Sequence, residues 1–257
     1  MTALAVIPAR YASVRFPGKP LVRETGKFLI QHVVERVLAA RRVARVLVAT
    51  DDARIADAVR SFGGAVAMTR ADHASGTDRI AEVLEALGPD AGEIVLNVQG
   101  DEPEIDPADL DRLVERLERE RDLPAATLAC AFREDADPGD PNAVKVVTDL
   151  AGRALYFSRA RIPYPRGDGG AGRCLLHLGV YAYRRGFVAE FAGWPASELE
   201  RVERLEQLRI LEHGRPIGVE IVERASIGVD TPEDYRRFVE RWRAQTGVSE
   251  TGQHRAG

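Results

Sequence analysis

Solidly apolar runs alternate with stretches whose apolar residues recur every three or four positions through the first 120 residues. Leu4 to Ile7, Val43 to Ala49, Ala65 to Met68 and Ile94 to Val98 are short and rich in β-branched residues, so they read as buried strands. Between them, Ile30, Val33, Val34, Val37 and Leu38 mark a helix over Phe28–Ala40, a second spans Ile55 to Phe62, and Ile80, Val83, Leu84 and Leu87 mark a third. Leu110, Leu113, Val114 and Leu117 continue the pattern in a helix from Pro107 to Glu120. Strands alternating with helices at this spacing predict βαβ units and a mainly parallel sheet.

From residue 124 the pattern changes. Ala125 to Phe132 reads as a strand, and Val144–Thr148 and Arg153–Phe157 flank Asp149-Leu150-Ala151-Gly152 as an antiparallel hairpin. His177 to Arg184 alternates as a strand with His177, Gly179, Tyr181 and Tyr183 on one face. One helix is predicted over Ser197–His213 with Leu199, Val202, Leu205, Leu208 and Leu211 inward, and a last strand over Pro216–Val222. Thr231 can cap a helix that starts at Pro232 and runs to about Ala244. The expected organisation is one domain over 1–245, with a core (1–123 and 214–245), a second lobe (124–213), a glycine-rich flexible loop (166–173) and a disordered tail (246–257).

Composition narrows the function classes. A net charge of −4 supplies no field for nucleic acid, and no apolar run approaches a membrane span or a signal peptide. Two cysteines far apart predict neither a disulfide framework nor a zinc site, and a cytoplasmic setting is expected. Of 36 basic residues only Lys19, Lys27 and Lys145 are lysines, which singles those positions out.

The chemistry lies in the loops that follow the strands. After the first, Pro8 to Pro20 holds Arg10, Arg15 and Lys19 beside Gly18, a stiff basic loop suited to a polyphosphate, although neither GxxxxGK[ST] nor GxGxxG occurs. After the third, Ser75-Gly76-Thr77 opens a helix and offers hydroxyl and N–H groups to a base or ribose edge. The fourth ends in Gly100-Asp101-Glu102-Pro103, and Asp230 precedes the last helix. Two carboxylates beside a polyphosphate loop suggest Mg²⁺, whose shell is completed by phosphate oxygens. By spacing alone, Asp230 reads as part of a helix-initiation turn.

IPARYASVRFPGKPL (7–21), VATDD (48–52), MTRADHASGTDR (68–79), NVQGDEP (97–103), PNAVKVV (141–147), ALYFSRARIPYPR (154–166), HLGVYAYRRGF (177–187), LERVERLEQLRIL (199–211) and GVDTPEDYRRF (228–238) together resemble the 3-deoxy-manno-octulosonate (KDO) cytidylyltransferase family, almost end to end. Phe16 and Phe28 depart from the expected Leu and Pro, away from the reactive groups. The resemblance implies an α/β, mainly parallel Rossmann-like nucleotide-diphosphosugar transferase fold with an antiparallel substrate and dimerisation lobe. It implies the reaction CTP + KDO → CMP-KDO + pyrophosphate for lipopolysaccharide biosynthesis, in a homodimer joined through residues 140–190. Arg10, Arg15 and Lys19 are then expected on the triphosphate, Ala9, Ser75, Gly76, Thr77 and Arg79 near the nucleotide, and Asp101 and Asp230 on Mg²⁺. Gln99, Arg159, His177, Tyr181, Glu206 and Gln207 are expected to line the sugar site, with Arg159 a natural partner for a carboxylate. Competing readings are a cytidylyltransferase for 8-amino-KDO or a sialic acid, and a non-catalytic nucleotide-binding regulator. Lys19 is pictured as an exposed loop cation of little weight in folding.

Overall fold

The four early apolar runs pair side by side in a computed structural model that describes residues 2–12, 15–88, 92–166 and 174–247. β1 (Ala3–Ala9) lies between β2 (Val43–Thr50) and β4 (Ile94–Asn97), with β3 (Val66–Met68) outside β2, and all three pairings are parallel. Beyond β4, β8 (Leu175–Arg184) runs antiparallel to both β4 and β5 (Ala125–Ala131), and β9 (Ile217–Val222) pairs in parallel with β5. The order is β3-β2-β1-β4-β8-β5-β9, and the hairpin of β6 (Lys145–Thr148) and β7 (Ala154–Ser158) attaches through β6 to β8. β8 alone opposes the common direction of that path, so the α/β, mostly parallel architecture is as expected.

Period-two alternation splits each strand between two cores. Ala5 and Ile7 face α1 (Leu29–Leu38), α2 (Ala53–Ser61) and α4 (Pro107–Arg119), whereas Leu4 and Val6 face α3 (Gly76–Leu87) and α5 (Arg185–Ala192). Each buried Ile, Leu or Val contributes roughly 1.5–3 kcal/mol, so the central strands are the best-anchored part of the chain. α8 (Pro232–Thr246) adds Tyr235, Phe238 and Val239 against Leu29 in a smaller cluster. Among the described residues no helix is long and apolar enough to cross a membrane.

Three expectations need correction. The helix predicted over 197–213 is two, α6 (Glu198–Glu203) and α7 (Gln207–Glu212), broken where Arg204 takes φ 53°. The break turns α6 outward, so Leu199 and Val202 are exposed while Leu205 and Leu208 stay buried. The proposed boundary at residue 124 does not separate a lobe, because β5 and β8 complete the central sheet and only β6 and β7 lie off its main path. α5 was not predicted. α8 reaches Thr246, and positions 167–173 and 248–257 of the expected loop and tail lie outside the described residues.

Candidate active site

The loop after β1 is folded by its own backbone. Gly18 adopts φ 71°, its N–H donates to Tyr11 O at 3.0 Å, and it precedes a 3-10 turn at Lys19–Leu21 with Pro20 inside. A Cβ at Gly18 would stand 3.1 Å from the Tyr11 ring in a conformation L residues avoid, so glycine is required here. Lys19 is thereby held inward at 8% exposure, which corrects its picture as an exposed loop cation. Its Nζ donates to Asp101 Oδ2 at 2.7 Å and to Asp230 Oδ1 at 3.4 Å. Arg15 pairs with the other Asp230 oxygen at 3.0 Å.

The two carboxylates arrive from distant segments. Gly100 lets the turn after β4 approach β1, since a Cβ there would lie 3.1 Å from Pro8 O. Asp101 O then accepts from Val229 N at 2.8 Å, tying that turn to the loop before α8. Within this loop Thr231 and Asp234 form the capping box, so Asp230 is not the cap and its carboxylate faces the lysine instead. Ser226 Oγ donates to Glu102 Oε2 at 2.6 Å in a second tie. Burial pushes Glu102 up to about 7, helped by the neighbouring Asp101 and Asp230.

On the α3 side, Ser75 caps its helix by accepting from Asp78 N at 3.1 Å, and Thr77 donates to Glu206 Oε2 at 2.9 Å. Those two hydroxyls are engaged within the protein, and the first-turn N–H groups of Gly76 and Thr77 remain for an anion or base edge. Arg10, exposed, donates to His73 O, and His73 pairs through its ring with Glu82. Ala9 is buried and paired to Thr50 across the sheet, so only its backbone can meet a ligand. Arg79 is corrected from nucleotide contact to buried strut: it is 0% exposed, donates to Thr69 and lies 3.2 Å from Asp51.

The expected sugar residues follow β8 and its neighbours. Gln99 Nε2 donates to Gly179 O at 3.3 Å, and the rings of His177, Tyr181 and Tyr183 form a ladder at 5.5 Å spacings, on one face as predicted. Gln207 is buried with its Nε2 lacking a hydrogen-bond partner among the described residues, and Glu206, whose pKa burial raises, has one oxygen met only by Arg209 at 3.8 Å. Arg159 is more encumbered than expected. Its Nε, Nη1 and Nη2 donate to Glu203 O, Pro141 O and Arg204 O at 2.7, 2.8 and 3.3 Å. Glu203, which clamps this arginine, is absent from the residues expected at the site.

His177 packs edge-on to Phe157 at 4.9 Å and lies 3.0 Å from Thr127 Oγ1. Burial lowers its pKa from 6.5 to about 3, and that of His32 to about 4. The unfolded chain therefore takes up protons below pH 6.5 that the folded chain refuses, and stability falls as pH drops from 6.5 towards 4. His177→Gln can keep the Thr127 contact without titrating. Its melting temperature is expected to fall less than the native protein's over that interval, and equal slopes by differential scanning fluorimetry would remove His177 from the effect.

A cytidylyltransferase family model matches residues 4–221. The chain is 52% identical over 245 residues to the 3-deoxy-manno-octulosonate cytidylyltransferase of Syntrophotalea carbinolica, covering 92% of this chain and 97% of that one. It is 52% identical over 240 residues to the enzyme of the same name from Syntrophobacter fumaroxidans, covering 93% and 96%. The solved structure of a CMP:2-keto-3-deoxy-manno-octonic acid synthetase complexed with CTP superposes with a TM-score of 0.89 at 45% identity, covering 95% of this chain and all of that one. The fold extends to the 4-diphosphocytidyl-2C-methyl-D-erythritol synthase of Anaerococcus prevotii, with a TM-score of 0.59 at 14% identity over 96% of this chain and 99% of that one.

Proposed function

Because this chain belongs to the 3-deoxy-manno-octulosonate cytidylyltransferase family, we propose that it activates KDO: CTP + KDO → CMP-KDO + pyrophosphate. The observation that carries the reading onto this chain's own residues is the meeting of Lys19 with Asp101 and Asp230, three groups more than 80 residues apart in sequence, in loops at one side of the sheet. The anomeric hydroxyl oxygen of the sugar acid forms a bond to the α-phosphorus and gives up its proton to solvent, the bond from that phosphorus to the bridging β-phosphate oxygen breaks, and pyrophosphate leaves with the electron pair. Positioning and charge neutralisation supply most of the acceleration in such a transfer. Lys19, Arg15 and Arg10 neutralise the triphosphate, while the α3 N-terminus receives the nucleotide. Gln99, His177, Tyr181, Glu206, Gln207 and Arg159 frame the sugar acid.

Asp101 and Asp230 would hold Mg²⁺. Both are hard oxygen donors, an ammonium already lies between them, and a Mg²⁺ held by two carboxylates completes its shell with phosphate oxygens and water. Among the described residues no group of three or more His, Cys, Asp or Glu forms a cage, which suits a metal that arrives with the nucleotide. When bound, the ion screens the phosphate charge.

Pyrophosphate release with CTP, Mg²⁺ and either KDO, 8-amino-KDO or a sialic acid tests the proposal. Release with KDO supports it, preference for another sugar acid shifts the substrate, and release with none defeats the enzymatic reading. The same reading has a second copy of the chain covering the hairpin side within 140–190, where Leu150, Leu155 and Tyr164 are exposed. Light scattering at micromolar concentration should give a dimer mass and Leu155→Glu a monomer mass; a monomeric native protein would exclude this interface.

A further inference from the structure

Lysine is scarce in this chain, and one of its three is buried away from the carboxylate pair. Lys145 opens β6 at 0% exposure, and its ammonium donates to Asp140 O at 2.9 Å and Arg159 O at 2.5 Å. Arg159 is gripped again from the other side. Its backbone N–H donates to Glu203 Oε2 at 2.9 Å, and the second carboxylate oxygen of Glu203 accepts from Ser158 Oγ at 2.6 Å. With the three carbonyls around its guanidinium, Arg159 joins the 140–141 turn, the end of β7 and the α6–α7 break, leaving two of its five N–H donors without a partner among the described residues. The break at Arg204 sets the direction in which Glu206 and Gln207 leave, and Glu206 reaches Thr77 on the far wall.

We infer that Lys145 is a positioning residue for the sugar-acid side of the site: its buried ammonium fixes the Asp140 and Arg159 carbonyls, and through Arg159 it sets the turn that delivers Glu206 and Gln207. The inference rests on the cytidylyltransferase reading above. An apolar side chain would fill the same volume without the desolvation cost of a buried ammonium, but it could not gather two carbonyls. A planar guanidinium is a poor substitute where a compact charge meets carbonyls from two separate segments. The effect should be lopsided. The Lys19, Asp101 and Asp230 cluster shares no hydrogen bond with this one, so loss of the ammonium disturbs the sugar side and spares CTP.

Lys145→Met keeps the bulk and removes the charge. It should raise KM for KDO about tenfold, the loss expected for one charged hydrogen-bond set, with KM for CTP within about twofold of native. In an Arg159→Met background the same change should add little, because the guanidinium through which Lys145 acts on the α6–α7 break is gone. Glu203→Gln, which grips Arg159 from the opposite side, should reproduce the split. Equal rises in both KM values, or none, would overturn the inference; if Lys145→Met does not fold, Glu203→Gln decides by the same criterion. Native protein without KDO-dependent pyrophosphate release would defeat the functional reading instead, whereas active native protein with unsplit variants defeats only the role of Lys145.

Discussion

Asp101→Asn should lower kcat/KM for CTP by about a thousandfold, the scale of several kcal/mol of lost charge stabilisation at 1.36 kcal/mol per decade. The substitution keeps the shape of the side chain and removes the negative charge that Lys19 Nζ meets at 2.7 Å. Asp101 is the more enclosed of the pair, with 30% of its side chain exposed against 49% for Asp230. Asp230→Asn should therefore lose less, about a hundredfold, because solvent screens the more exposed charge and Arg15 already offsets part of it. Both variants should need more Mg²⁺ for half-maximal rate. Their melting temperatures should stay within about 3 °C of native, since one partly exposed contact changes at a chain length where 1 kcal/mol moves Tm by a few degrees. Pyrophosphate release measured across a Mg²⁺ titration decides the matter, and native turnover by either variant removes that carboxylate from the metal role.

Lys19→Ala should cost kcat/KM for CTP roughly ten- to a hundredfold or more, because each charged contact to a phosphate is worth roughly 1.5–3 kcal/mol. Lys19→Arg should recover only part of the loss. The ammonium reaches its partners from a buried stem behind the turn that Gly18 starts, and a planar fork does not fit where a point charge does. Burial also changes the stability expectation. Without the ammonium, Asp101 loses its cation and Asp230 keeps only Arg15, so Tm should fall by about 5 °C at low salt. Mg²⁺ should restore most of that fall in Lys19→Ala and raise the native Tm less. Unchanged CTP kinetics in Lys19→Ala would show that the triphosphate is held elsewhere.

Much of this site is legible in the sequence because its residues sit in strand-end loops, where rigid neighbours fix their direction. Pro8, Gly18 and Pro20 announce a stiff turn, and the four apolar runs say which ends of the sheet carry Lys19 and Asp101. Spacing alone makes Asp230 part of a helix-initiation turn, whereas the structure gives capping to Thr231 and Asp234. The break at Arg204 could not be read, since the apolar spacing of Leu199, Val202, Leu205 and Leu208 continues through it unbroken. What bends the chain there is a tertiary clamp from Arg159, more than 40 residues away. Arg79 misled for the opposite reason: an arginine in a loop-to-helix segment reads as exposed, and only the fold encloses it between Thr69 and Asp51. Lys145 did leave a trace in its rarity, although rarity alone does not say what an ammonium holds.

The reversed strand β8 on the main path of the sheet has a consequence for how the polypeptide acquires its structure during synthesis. β4 and β5 are nearly consecutive in the chain but do not pair with each other; β8, which begins at Leu175, is the strip inserted between them. Until the ribosome has released residues 175–184, the half formed by β1 to β4 ends in a bare edge at β4, with Val95 and Leu96 waiting for Tyr183 and Ala182. Such a nascent chain carries an unpaired, apolar edge for the several seconds that synthesis of the intervening segment takes at about 5–20 residues per second. A chain truncated before β8 should thus be sticky and protease-sensitive, and one ending just after α5 should gain its first protection together in both halves.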